Sequence, residues 1–289
     1  MNQMLTDARA ESDAKTALRR KFRQCYRQIA EDDLVKSFEE NKHVRNIPLL
    51  RMIGDVSGKN VLDVGSSQGL LLDAFKSDAL TACVDLAEAY MRVAREHGHR
   101  AVVGDGEALP FHSDTFDVVI CSDVLEHVLD VETVVEQVGR VLKPDGTFFA
   151  VVPWEEDLSK YKGFEGTYEF THLRSFNAEV MRNLFKGFRI VRWRGVAPNV
   201  ERPPHLKLMD CFPGFVASFF RYMGRLGRRV PWRLQKYYWK VHYAYWDWYW
   251  GQLARLPEWD WLWLWFYPPI HMIFELTPCA SRDPSERCL

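Results

Sequence analysis

Nowhere does the 289-residue chain offer the run of about 18 uninterrupted apolar residues that a membrane-spanning helix needs, so no such helix is expected. Its six cysteines (25, 83, 121, 211, 279 and 288) include no CxxC pair and no metal-like spacing. That argues against a disulfide framework or a zinc module and for reduced, structural thiols in a cytoplasmic-type compartment. The opening segment MNQMLTDARAESDAKTALRRKF is polar and lacks the apolar stretch of a secretory signal. Internal repeats and low-complexity tracts are absent, and so is a net charge worth the name, at -1.

The near-zero charge conceals an imbalance. Residues 186–240 carry thirteen Lys or Arg against only Glu201 and Asp210, a local excess of +11 that the rest of the chain offsets with -12. One basic face on a more acidic body follows. Hydrophobic residues, at 47%, suffice for a packed core. After a dozen residues expected to be disordered, helical periodicity runs from about Ala14 to Met52, with Pro48 able to open a further helix. From residue 59 the pattern changes. VLDV (61–64), TACVD (81–85), AVVGD (101–105), DVVICSD (117–123) and TFFAVVP (147–153) read as short buried strands. Helical segments stand between them: LLLDAF, a run through Met91 and Val93, and Val131–Leu142. KPDG (143–146) reads as a turn, Phe176–Phe185 as a helix capped by Asn177, and residues 188–195 and 271–278 as two last strands. Such alternation predicts a parallel α/β sheet covered on both faces.

The sharpest motif is VLDVGSSQG (61–69), a strand, a glycine turn and a helix start in the order that brings backbone N–H groups to a ligand. Its spacing is not the G-x-G-x-x-G of a dinucleotide site. Asp63, two residues before Gly65, suits an ammonium group better than a pyrophosphate. A phosphate-free nucleoside bearing an amino acid matches that charge. Asp85 follows Gly65 by twenty residues and ends the second strand, where a carboxylate can accept ribose hydroxyls. Asp105 ends the third strand, placed for an adenine amino group, and Ser122 and Asp123 end the fourth. Each aspartate taken alone could be a helix N-cap; four polar strand ends at one crevice point to a ligand.

These segments resemble the ordered motifs of class I S-adenosylmethionine-dependent methyltransferases. VLDVGSSQG is similar to the first motif, and VDLAEAYMRVAR to the ribose-binding segment. GDGEALPFHSDTFDVVICSDVLEHV with VGRVLKPDGTFFAVVP is similar to the later motifs of the type 11 family, which includes ubiquinone and menaquinone methyltransferases. The resemblance covers about residues 59–195. It implies a Rossmann-like seven-stranded fold and S-adenosyl-L-methionine as cofactor, held by Asp63, Gly65, Ser66, Ser67, Gly69, Asp85, Leu86, Asp105, Gly106 and Ser122. Ser67 stands where the family more often has a second glycine, which lowers the expected affinity. The expected organisation is an N-terminal helical lid (1–58), the cofactor-binding core (59–198), a helical aromatic-rich insertion (199–267), and a last strand with tail (268–289).

Methyl transfer to oxygen or carbon can require a base. His127 and His172 are the candidates, each with a packed, structural role as its rival. Tyr26 reaches toward the cofactor from the lid or lies in the core. His97 and His99 flank Gly98 with nothing nearby in the sequence to complete a metal site, and no metal is expected. Within the insertion, Phe212, Phe215, Val216, Phe219, Phe220 and Met223 recur at helical spacing beside Arg221, Arg225, Arg228 and Arg229. Nine of the eleven tryptophans fall between Trp232 and Trp265. This composition suits an interfacial helix, with peripheral membrane contact through 211–267. A soluble lid, a homodimer surface and stacking on nucleic acid are the rivals. No nucleic-acid partner is expected, because the stripe is aliphatic and phenylalanine-rich. The function expected is methylation of a small lipophilic or lipid-linked acceptor. A soluble methyltransferase for a sugar or secondary metabolite and a non-catalytic cofactor-binding scaffold are the alternatives.

Overall fold

The computed structural model describes residues 2–35, 42–161, 169–198 and 269–279. The aromatic and basic insertion, with its Phe212–Met223 stripe and tryptophan cluster, lies outside them. The chain divides into two compact units. One comprises Met1–Ser37, Met52–Arg194 and Met272–Leu289; the other comprises Phe38–Arg51 and Gly195–His271.

Seven strands form one sheet: β1 (Asn60–Val64), β2 (Leu80–Asp85), β3 (Arg100–Val103), β4 (Phe116–Ser122), β5 (Leu142–Pro153), β6 (Phe188–Pro198) and β7 (Pro269–Pro278). Their spatial order is β3-β2-β1-β4-β5-β7-β6. Parallel pairing joins β1 to β2 and β4, β2 to β3, and β4 to β5. The order reverses beside β1, between β2 and β4, and an open α/β sheet places its ligand crevice at such a switch, outside the carboxyl ends of the strands.

Residues 118–121 of β4 are all buried, as are 148–153 of β5, because both sheet faces are covered and no polar alternation is needed. Helix α4 (Val131–Val141) lays Val134, Val135, Val138 and Val141 onto the core, a spacing that keeps one helical stripe apolar. Asp130 caps it by accepting from Thr133 N at 3.1 Å. Asn177 caps α5 (Ala178–Leu184) as expected, accepting from Glu179 N and Val180 N at 3.0 and 2.9 Å. Helix α3 (Glu88–Glu96) buries Tyr90, Met91 and Ala94.

Four local expectations are corrected. Helix α1 begins at Asn2 and runs to Val35, so the first dozen residues are helical. They lack Pro and Gly and are rich in good helix formers, which periodicity alone does not register. Pro48 does not open a helix but lies inside α2 (Lys42–Ile53), forgoing one backbone bond. LLLDAF forms only a 3₁₀ turn at Leu72–Ala74. KPDG is taken into β5, where the register jumps from Phe116 opposite Leu142 to Val118 opposite Thr147; the turn-forming residues appear as a bulge.

Cys25, Cys83 and Cys121 are buried and not disulfide-bonded. Cys279 is disulfide-bonded, which corrects the expectation of reduced thiols throughout. Among the described residues no helix is long and apolar enough to cross a membrane.

Candidate active site

The cleft is built at the carboxyl ends of β1, β2, β3 and β4. Gly65 leaves β1 with φ +69°, and a Cβ there would lie 2.4 Å from Val124 Cγ2. Only glycine fits both the left-handed backbone and that approach. Gly69, at φ +76°, closes the loop against Ala94 and His99. Between them Ser67 adopts φ 49°, a conformation that costs a side-chain-bearing residue roughly 1–2 kcal/mol. Its N–H donates to Asp85 Oδ2 at 3.1 Å, so the loop is oriented by the acid of the neighbouring strand. Gly65 N and Ser66 N donate to Val84 O at 2.8 and 3.4 Å.

Asp63 is almost wholly buried. Burial, with the Asp85 charge beside it, pushes its pKa up to about 8. Asp85 is raised to about 6 by burial, against the opposing N–H bonds from Ala87, Ser67 and Leu86. An apolar cradle thus holds two carboxylates that gain by meeting a cation and hydroxyl donors.

Helix α1 lies across this crevice. Arg23 directs Nε and Nη2 at Asp105 Oδ2, 3.1 and 2.8 Å away, while Glu107 N donates to Asp105 Oδ1 at 3.0 Å. Arg19 Nη2 donates to Glu107 Oε2 at 2.8 Å. Phe22, Cys25 and Phe170 form a small buried cluster against which Tyr26, Leu86 and Leu129 pack. Tyr26 donates its hydroxyl to Phe170 O at 3.1 Å. Burial and the charges of Glu126 and Asp85 hold its phenol well above the usual range. Gly106 faces Val64 and Val134, and Ser122 Oγ lies 3.5 Å from Asp123 Oδ2.

His127 and His172 meet edge to face with ring centroids 4.7 Å apart. Burial foremost, and the neighbouring His172, lower the His127 pKa to about 4; its Nε2 stands 3.8 Å from Glu126 Oε1. His172 Nδ1 is hydrogen-bonded to Glu156 Oε2, and Tyr161 Oη lies 3.3 Å from the same nitrogen. Sequence reasoning missed Glu156 and Tyr161, which belong to the segment after β5 rather than to any motif. Their sequence separations from His172, sixteen and eleven residues, carry no periodic mark. His172 and Glu155 both have left-handed backbones, φ 40° and 47°, and strain of this kind collects where side-chain placement matters. His127 is also 5.9 Å from the Tyr26 ring, so α1 touches both the acid-lined crevice and the histidine pair.

Residues 62–150 match the family model described as a methyltransferase domain. The chain is 34% identical over 101 residues to the ubiquinone biosynthesis O-methyltransferase of Coxiella burnetii, covering 32% of this chain and 43% of that one. It is 38% identical over 104 residues to the protein of the same description from Bordetella bronchiseptica, covering 33% and 43%. The chain thus spans less than half the length of these curated relatives. Among solved structures, the Haloferax volcanii complex of the Trm112 methyltransferase activator with a methyltransferase gives a TM-score of 0.51 at 22% identity, covering 61% of this chain and 79% of that one. Burkholderia thailandensis 1,6-didemethyltoxoflavin-N1-methyltransferase gives 0.51 at 18%, covering 63% and 83%. Both likenesses are of fold. Sheet order and glycine loop agree with the match of residues 62–150 to a methyltransferase domain, set in a seven-stranded α/β fold.

Proposed function

We propose that this protein is an S-adenosylmethionine-dependent methyltransferase acting on oxygen or an acidic carbon of a small, lipophilic or lipid-linked acceptor. The carboxylates at successive strand ends carry the cofactor reading. Asp63 suits the ammonium group, Asp85 the ribose hydroxyls and Asp105 the adenine side; in the Gly65–Gly69 turn a side chain would clash at the first glycine and be tight and strained at the second. When bound, S-adenosylmethionine supplies an electrophilic methyl group on a sulfonium centre. Ser66, Ser67, Leu86, Gly106 and Ser122 line the remaining crevice. Glu156 fixes the His172 ring through Nδ1, leaving Nε2 to take the proton of the acceptor as methyl transfer proceeds. His127, held neutral by burial, packs against that ring and positions it. Helix α1, pinned through Arg19 and Arg23, covers the crevice and excludes water.

Asp63 makes cofactor binding a proton-linked event. In the free protein its pKa near 8 keeps it largely protonated at neutral pH. The fold therefore gains from this group in acid and loses that contribution as pH rises through about 8. With an ammonium group beside it, Asp63 would favour its carboxylate form and give up the proton. Affinity for S-adenosylmethionine should rise between pH 6 and 8. Calorimetry in two buffers of different ionisation enthalpy should show net proton release at pH 7. Proton uptake, or heats independent of buffer, would contradict the placement of the ammonium at Asp63.

Support for a lipophilic acceptor comes from the named function of the ubiquinone O-methyltransferase relatives and from the aromatic, basic composition of residues 211–267. We place the protein on the cytoplasmic side, peripheral to the membrane. Because Cys279 is bonded, cysteine content no longer argues for the compartment. The protein should sediment with anionic vesicles, more weakly as salt rises but not to zero, since aromatic burial survives screening. Phe215→Asp with Phe219→Asp should release it while retaining the fold by circular dichroism. Wild-type protein left in the supernatant at low salt would leave a soluble lid or a homodimer surface as the role of the insertion.

A further inference from the structure

We propose that Asp73, His97 and His99 bind a divalent transition-metal ion, with zinc the best match, at a site behind the glycine loop. The three residues come from the 3₁₀ turn after the loop and from the two sides of the α3–β3 connection. Sequence spacing joins the histidines to each other but not to Asp73. In the fold, one ligand atom from each lies within 4.8 Å of the others.

His99 is the observation that points to an ion. Its side chain is 0% exposed, and its buried Nε2 makes no well-formed hydrogen bond. That nitrogen faces Asp73 Oδ1 at 3.3 Å, longer than a good N–H···O bond of about 2.7–3.2 Å. The distance equals the separation of two ligands on a tetrahedral ion with bonds of about 2.0–2.1 Å, roughly 3.3–3.4 Å. The other ring nitrogen, Nδ1, lies 2.9 Å from Thr81 Oγ1. With Nε2 on the ion, Nδ1–H donates to that hydroxyl, the outer contact that fixes the tautomer of a metal-bound histidine. His97 Nδ1 is 2.8 Å from Asp73 Oδ2, and the two imidazoles stack at 6.4 Å with planes 26° apart, so both face the carboxylate.

Two histidines and one carboxylate leave a fourth tetrahedral position for water. Lys76 Nζ sits 3.1 Å from Asp73 Oδ1, and its side chain is 50% exposed. It can withdraw into solvent when an ion takes over the neutralisation of Asp73. The site also touches the loop itself, since a Cβ at Gly69 would lie 3.1 Å from His99 Cδ2. An ion there would clip the segment leaving the glycine loop to the start of β3.

The test uses chelator-stripped full-length protein. Titration with cobalt(II) should produce the visible absorption of a tetrahedral ion at one equivalent, and zinc should displace it. His97→Ala and Asp73→Asn, at side chains only 33% and 30% exposed on the rim, should each weaken zinc binding by about 10–100-fold or more, since loss of outer contacts alone has that effect. Thr81→Val removes only the outer contact and should weaken binding within the same range while keeping the fold. His127→Ala with His172→Ala, which dismantles the second histidine cluster, should leave the cobalt spectrum intact. The proposal is overturned by a wild type that binds no stoichiometric ion. Binding that is unchanged in all three site variants, or that disappears only with His127 and His172, overturns it equally.

Discussion

Turnover by His172→Ala is expected to fall by about 10²–10⁴-fold, the contribution of a positioned general base, with affinity for S-adenosylmethionine nearly unchanged. The split follows from the geometry. His172 lies in the segment after β5, bonded to Glu156 and flanked by Tyr161 and His127, whereas the carboxylates proposed to hold the cofactor end β1 and β2 and follow β3. Glu156→Gln should give a smaller loss of the same kind, because the ring loses the carboxylate that sets its tautomer but keeps its nitrogen. Steady-state kinetics with an acceptor, alongside calorimetric titration of the cofactor, measures both quantities. An equal fall in turnover and cofactor affinity would mark His172 as a packing residue. Undiminished turnover would remove the base from the mechanism.

The second large effect is on cofactor affinity. Asp85→Ala should weaken S-adenosylmethionine binding by about 1.5–3 kcal/mol, the scale of a hydrogen bond to a charged group, or roughly 10–150-fold. The carboxylate accepts from Ser67 N through Oδ2 and from Ala87 N through Oδ1, so the mutation removes the proposed ribose acceptor and loosens the loop that presents the cofactor. Asp85→Asn separates the two, because its amide oxygen can keep one loop bond while the charge is gone. Calorimetry with S-adenosylmethionine and with its demethylated product measures the loss. Wild type that binds neither ligand, or an alanine variant with unchanged affinity, would sink the cofactor assignment; binding of NAD instead would return the site to the dinucleotide class.

How far the residues foretold the fold depended on the range of the interaction. Buried strands such as 117–123 and capped helices such as that after Asn177 are decided within a few residues, and each appears where its local pattern put it. Gly65 and Asp85 stand together at the crevice because strand ends in this topology converge. The misreadings arose where a neighbour or the backbone overrode local character. KPDG contains a turn sequence, but pairing of β4 with β5 on both sides absorbs it. The polar first residues lack an apolar stripe but not helix propensity. Glu156, Tyr161 and the arginines of α1 join the site through contacts made only once the chain has folded, so no spacing announces them.

Arg19 and Arg23 anchor α1 by charge, each about half exposed while their carboxylate partners are mostly covered. A cover fastened this way has a latch whose strength the surrounding electrolyte sets, because exposed ion pairs weaken as mobile ions screen them. On the proposed function, the exchange of spent for fresh cofactor would then depend on ionic strength, even though methyl transfer itself moves no ion of the medium. Near an anionic surface, which gathers counter-cations and draws at basic side chains, the same arginines would divide their attraction between the crevice and the lipid. Arrival at such a surface and exchange of cofactor would then be coupled through two guanidinium groups.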